Sequence, residues 1–168
     1  ILELGIAGTF QNVRLFPTMT VRENVMVARH CRTKSGLFRT ILKTPSFRAE
    51  EEDTRRRAEE TLSFFGSRLV GYRFDQPAIA LSYANRRRLE IARAMASDPR
   101  IVLLDEPTAG MNPRETRELT GLVGKMRDEK GFTIIVIEHD MQVVRGVSDR
   151  VVVLDYGRKI AEGPYDKV

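Results

Sequence analysis

The chain has 168 residues, 42% of them hydrophobic and 30% charged, with a formal net charge of +5. That is enough for one domain with a sizeable core, and no apolar run nears the roughly 18 residues that suggest a membrane span. A single cysteine, Cys31, excludes an internal disulfide framework, argues against a structural zinc site and fits a reducing cytosol. The opening stretch ILELGIAGTF lacks a basic n-region and a cleavage site, so no secretory signal is expected in it. It starts inside an apolar segment without Met, so a truncated start is expected.

After an early strand, residues 18–97 read as mostly helical. The patterns TVRENVMVARH, AEEEDTRRRAEETLSFFG and RRRLEIARAMAS are separated by KSG, TPS and FDQP. Ala58, Leu62 and Phe65 keep helical spacing ahead of Gly66, a C-cap. Arg29, Arg32, Lys34, Arg39, Lys43 and Arg48 form an acid-free basic run, and Glu50, Glu51, Glu52 and Asp53 follow. Such runs are solvated faces first and anionic surfaces second. No aromatic platform accompanies this one, which argues against single-stranded nucleic acid.

Short apolar runs at 101–104, 132–137 and 151–154 read as strands. The first, IVLL, is expected to be buried on both faces. Between the first two lies a helix capped by Asn112, with Pro113 at its first position and Glu115 three residues past the cap. Leu119, Leu122, Val123 and Met126 share one face of it, and Lys130-Gly131 closes it. Asp140 caps a shorter helix carrying Met141, Val144 and Val147. This alternation predicts a parallel α/β sheet with right-handed crossovers. Ligands of such sheets gather at the carboxyl ends of the strands, where Asp105, Glu106, Glu138 and His139 would stand. Two adjacent carboxylates there are either a polar exit from the core or a pair that holds magnesium (Asp105) and acts on a water (Glu106).

Four motifs stand in one order: TFQNVRLF with Gln11, LSYANRRRLEIARAM from Leu81, IVLLDEPTAGMNP, and VIEHDM with His139. Over essentially the whole chain this resembles the ATP-binding subunit of an ABC transporter. FQNVRLFPTMTVRENVMVARH, the insertion around GLFRTILKTPSF, and IEHDM are most similar to the ATPases of bacterial branched-chain (hydrophobic) amino-acid importers. The resemblance implies an α/β fold: a P-loop NTPase (RecA-like) parallel sheet, here incomplete, with an inserted α-helical subdomain. The core would comprise residues 1–17 and 98–168, and the subdomain residues 18–97.

The same resemblance implies the roles. Asp105 would hold Mg2+ through water, with Gln11 touching the ion and the water. Glu106 would accept a proton from the attacking water or orient it, and His139 would sense the γ-phosphate. Ser82, Tyr83, Ala84 and Asn85 open a helix whose free N–H groups face ATP held by a second ATP-binding subunit, head to tail, with Asn112 in the loop crossing that interface. The pair would form a homo- or heterodimer. The partners implied are transmembrane permease subunits and, indirectly, a solute-binding protein, at the cytoplasmic face of the inner membrane, with no nucleic acid.

Two features depart from the family pattern. Ala84 stands where glycine is usual, a cost of about 1–2 kcal/mol if its φ were left-handed. The phosphate loop G-x-x-x-x-G-K-[ST] does not occur. The expectation is therefore an ATP-hydrolysing importer subunit present as a fragment, itself inactive. The alternatives are a non-catalytic partner subunit of such a transporter, or a soluble ABC ATPase outside transport.

Overall fold

A computed structural model of the chain describes residues 4–29 and 45–168. Cys31, Arg32, Lys34, Arg39 and Lys43 lie outside them, as does most of the GLFRTILKTPSF insertion. The elements run β1 (Ile6–Gly8), α1 (Val21–Arg29), α2 (Pro45–Ser63), α3 (Tyr83–Ala96), β2 (Ile101–Asp105), α4 (Pro113–Lys130), β3 (Thr133–Ile137), α5 (Met141–Val147), β4 (Val151–Asp155) and β5 (Arg158–Gly163). Short 3-10 turns connect α2 to α3.

The fold is α/β. β1, β2 and β3 pair in that order, all parallel, with Ile6 opposite Ile101 and Ile101 opposite Thr133. Val102 and Leu104 of β2 are fully buried, and each contributes about 1.5–3 kcal/mol of burial. They join one apolar cluster with Val21 and Val25 of α1, Ala58 and Leu62 of α2, Leu89, Ala92 and Met95 of α3, and Leu119, Val123 and Met126 of α4. The helical layer and the sheet therefore share a single core.

Two expectations about the strands are corrected. β2 is buried on one face only: Leu103 is 41% exposed, and its neighbours Ile135 and Ile137 on β3 are more so. Side chains alternate across a strand, and among the described residues the helices cover only the Val102–Leu104 side. The run 151–154 does not extend the parallel sheet. β4 instead pairs antiparallel with β5 in a separate hairpin. Tyr156 and Gly157 form its two-residue turn, both with positive φ (44° and 77°), which suits the right-handed strand twist.

The caps follow the local chemistry. The Asn112 side chain accepts the N–H groups of Arg114 and Glu115, and Glu115 returns a bond to the Asn112 N–H. Asp140 accepts from the Gln142 N–H at the start of α5. On α5 the buried residues are Val143, Val144 and Val147, whereas Met141 in its first turn is exposed.

α4 and α5 meet at Gly146, where an added β-carbon would lie 2.8 Å from the Thr120 methyl. That methyl is held in place because the Thr120 hydroxyl donates to the Thr116 carbonyl at 2.8 Å. Gly146→Ala alone should therefore be neutral or destabilising, since the clash offsets its helix-propensity gain. Combined with Thr120→Ser, which removes the methyl, the same change should stabilise by about 0.5–1 kcal/mol. Urea denaturation of the four chains measures this, and equal effects in both backgrounds would show that the helices do not meet here.

Candidate active site

The parallel register sets Asp105 opposite Ile137, so β2 and β3 leave the sheet at the same level. The ladder adds one more bond, from the Glu106 N–H to the Ile137 carbonyl at 2.9 Å. Glu106 then turns the chain with φ 43°. A left-handed backbone costs a non-glycine residue about 1–2 kcal/mol, so neighbouring contacts must hold it.

That turn brings Glu106 Oε1 within 3.4 Å of His139 Nδ1. The glutamate side chain is 29% exposed and the imidazole 78%, so both can reach a ligand from solvent. Glu138 is differently employed. Its Oε1 accepts the Thr108 hydroxyl at 2.6 Å and the Thr108 N–H at 3.1 Å, and its Oε2 accepts the His139 N–H at 3.3 Å. Glu138 therefore staples the loop after β2 to the loop after β3, while among the described residues the Glu106 carboxylate meets only His139. Among the described residues the Asp105 carboxylate has no hydrogen-bonding or ionic partner.

Gln11 is exposed and follows β1, whose line continues as the Thr9 N–H bonds the Leu103 carbonyl at 2.9 Å. The Gln11 carbonyl accepts from Arg87 of α3 at 3.2 Å, and the same nitrogen reaches the Asp105 carbonyl at 3.1 Å. One guanidinium thus spans the glutamine loop and the carboxylate strand. Asp105, Glu106, His139 and the backbone of Gln11 are gathered at one end of the sheet.

At the start of α3 the Ser82 hydroxyl accepts the Asn85 N–H at 3.4 Å. Ser82 and Tyr83 are exposed, whereas Ala84 and Asn85 turn inward, Asn85 Oδ1 accepting from Arg88 at 3.0 Å. Ala84 lies inside the helix and does not adopt a positive φ, so alanine there carries no left-handed strain. The four residues make no hydrogen bond or ion pair with Glu106 or His139 among the described residues. They connect instead to the AGMN loop. A β-carbon placed on Gly110 would stand 3.4 Å from the Tyr83 ring, and Asn112 at that loop's end caps α4.

Sequence reasoning missed Arg87, Glu90 and Thr108, and it placed Glu138 at the strand ends without its bond to Thr108. The signal for the first two was a buried-helix pattern with charges three residues apart, Arg87 and Glu90, flanked by Leu89 and Ile91. Nothing local marked the Thr108–Glu138 pair.

Among the described residues no group of three or more His, Cys, Asp or Glu side chains gathers to hold a metal. A magnesium ion does not require one, because it commonly uses one or two protein carboxylates plus substrate phosphates and water. The unpartnered Asp105 carboxylate is a hard oxygen donor that fits this pattern.

Carboxylates and a histidine at the carboxyl ends of parallel strands, beside a helix amino terminus, define an α/β protein of the nucleotide-binding class. Comparison with known proteins makes the class specific. Residues 2–109 match the family described as ABC transporter, and the chain belongs to that family. It is 45% identical over all its 168 residues to the high-affinity branched-chain amino acid transport ATP-binding protein LivG of Escherichia coli, of which it spans 65%. Among solved structures it is similar to cbiO1 from Clostridium perfringens, part of the ABC transporter complex cbiONQ. The TM-score is 0.79 at 28% identity, covering 98% of this chain and 59% of that one. It is also similar to the ATP-binding cassette MJ0796 in a dimeric post-hydrolysis state bound to ADP and Pi. There the TM-score is 0.73 at 28% identity, covering 95% of this chain and 62% of that one. The fold is thus that of the ABC ATPase cassettes.

Because Ala84 is helical, Ala84→Gly should lower stability by about 0.5–1 kcal/mol, the ordinary cost of glycine in a helix. Guanidinium denaturation reads it, and a gain in stability would place Ala84 outside regular helix.

Proposed function

We propose that the chain belongs to an ATP-hydrolysing subunit that powers a membrane importer, with branched-chain amino acids as the transported solutes. The observation that carries the hydrolytic reading is the Glu106–His139 contact at 3.4 Å beside an unpartnered Asp105. A carboxylate committed to structure, as Glu138 is, cannot also take a proton; Glu106 has that capacity. The 45% identity to LivG supports the choice of solute.

In this reading Glu106 orients the attacking water and accepts its proton, contributing about 10²–10⁴-fold. The exposed imidazole of His139 donates to the γ-phosphate. Asp105, with Gln11, would hold Mg2+, and the ion would offset phosphate charge. Ser82, Tyr83, Ala84 and Asn85 present the amino terminus of α3 to ATP held by a second, head-to-tail subunit, with the N–H groups of Tyr83 and Ala84 serving there while the Asn85 N–H caps onto Ser82. Asn112 borders that interface. Residues 1–17 and 98–168 form the ATPase core and residues 18–97 the helical subdomain on which transmembrane permease subunits dock, a solute-binding protein acting indirectly through them. Among the described residues no helix is long and apolar enough to cross a membrane, which fits a subunit peripheral to the cytoplasmic face.

A non-catalytic partner subunit is the second reading, prompted by Ala84. The regular helical backbone at that residue removes its strain argument, and Glu106 beside His139 favours turnover.

The test is Glu106→Gln in the complete gene product. ATP binding should stay within about two-fold while phosphate release falls at least ~100-fold. Parental turnover in the variant would remove Glu106 from the reaction. No turnover in the parent, with its permease present, would favour the non-catalytic reading.

A further inference from the structure

Arg87 is fully buried, yet most of what it bonds lies outside its own helix. One terminal nitrogen donates to the Phe10 carbonyl and to Glu90 Oε2, the latter at 2.9 Å. The other donates to the carbonyls of Gln11 at 3.2 Å, Asp105 at 3.1 Å and Glu106 at 2.8 Å. Glu90 in turn accepts the Arg14 N–H at 3.2 Å through its second oxygen. Arg93, two turns along α3, donates to the Arg14 carbonyl.

The segment carrying Phe10, Gln11 and Arg14 is anchored at its two ends, where the Thr9 N–H bonds the Leu103 carbonyl and Asn24 bonds both the N–H and the carbonyl of Phe16. Between them Phe10 is 53% exposed, Gln11, Asn12 and Arg14 are exposed too, and Leu15 packs against the core. The backbone at Phe10, Gln11 and Arg14 is held by the polar face of α3. The second segment, Asp105–Glu106, contains the left-handed turn that aims the Glu106 carboxylate. The bond from Arg87 to the Glu106 carbonyl acts directly on that strained peptide.

We infer that Arg87 is a positioning residue that locks the Gln11 loop to the Glu106 turn, so that both move as one body. Its catalytic meaning rests on the ATPase reading above; the mechanical coupling does not. If Arg87 served only as a buried cation, Glu90 alone would neutralise it, and the two loops would have separate anchors. The planar fork lets one nitrogen hold both loops, at Gln11, Asp105 and Glu106, while the other holds Phe10 and Glu90. A lysine in its place has three donors on one atom, so it cannot stay with Glu90 and also serve the carbonyls of both segments.

The experiment compares the complete gene product with its Arg87→Lys and Arg93→Lys variants by amide hydrogen exchange and ATP turnover. Arg87→Lys should speed exchange at least ~10-fold in both 9–16 and 105–110, with α3 protection and the melting midpoint near parental. Arg93→Lys, which removes a guanidinium that meets the Arg14 carbonyl and the Phe16 ring, should loosen 9–16 alone. With Arg87→Lys, kcat should fall about ten-fold or more while KM for ATP stays within about two-fold. Parental exchange in both segments, loosening of only one, or a uniform rise across the chain would each overturn the inference. If Arg87→Lys does not fold, Glu90→Gln takes its place, since Glu90 holds both Arg87 and the Arg14 N–H; it too must loosen both segments or the inference fails. A parent without ATP turnover refutes the ATPase reading, and the paired exchange then decides the coupling by itself.

Discussion

The pairing of Asp105 with Ile137 is the constraint on which the site depends. Because parallel strands β2 and β3 end level, the next N–H, that of Glu106, finds the Ile137 carbonyl, and the chain must turn there. The turn drives Glu106 into a left-handed conformation and points its carboxylate at His139. A one-residue slip would exchange the two faces of β3, sending Ile134 and Val136 outward and breaking the Glu138–Thr108 staple. The hydrophobic alternation of two short strands thus fixes the meeting of two polar side chains some thirty positions apart in sequence.

α3 solves a second problem, that of burying charge beside the site. It packs Leu89, Ala92 and Met95 into the core while Arg87, Glu90 and Arg93 face the glutamine loop. Burying an isolated ion costs several kcal/mol, roughly, and the pair is tolerated because nearly every donor has an acceptor. Among the described residues the Arg87 Nε has no partner. On the opposite side Arg88 bonds Asn85 and Glu118, and Glu118 also takes Arg68 and Arg114. Partial desolvation pushes Glu118 up, yet the surrounding guanidinium groups hold it below the ordinary carboxylate range. Both faces of the helix are therefore cross-linked to other elements, and its amino terminus is correspondingly rigid.

Legibility in the sequence followed the range of the interactions. The caps at Ser82, Asn112 and Asp140 are local chemistry over three residues, and all three stand where the spacing put them. The end of β2 was readable because an apolar run stops at charge. The β4–β5 hairpin was missed because Tyr156 gave no hint of a positive φ, although Gly157 did. Burial of β2 on both faces was a wrong inference of a different kind: an apolar run reports what a strand is made of, not what covers it. Leu103, Ile135 and Ile137 are apolar and exposed together. Arg87 was illegible because its partners lie 76–77 and 18–19 positions away in sequence, at backbone atoms that carry no residue-type signature.

The contact of Tyr83 with Gly110 joins these threads at the other edge of the site. Tyr83 sits at the first position of α3, and Gly110 lies in the loop that leads from Glu106 to the cap of α4. Gly110 has positive φ (72°), and an added β-carbon would meet the Tyr83 ring at 3.4 Å, ordinary van der Waals contact, so backbone conformation rather than space calls for glycine there. A displacement of the amino terminus of α3 therefore pushes on the segment downstream of Glu106, while Arg87, one turn further along the helix, pulls on the carbonyl of Glu106 itself. The two contacts lie on successive turns of one rigid rod and act on the two ends of one short loop. Tilting the rod would strain that loop from both ends, and the left-handed peptide at Glu106, already the least comfortable in it, is where the strain would collect. The start of α3 and the carboxylate turn are thus linked through Tyr83 and Arg87, although among the described residues no side chain of Ser82–Asn85 bonds to Glu106 or His139.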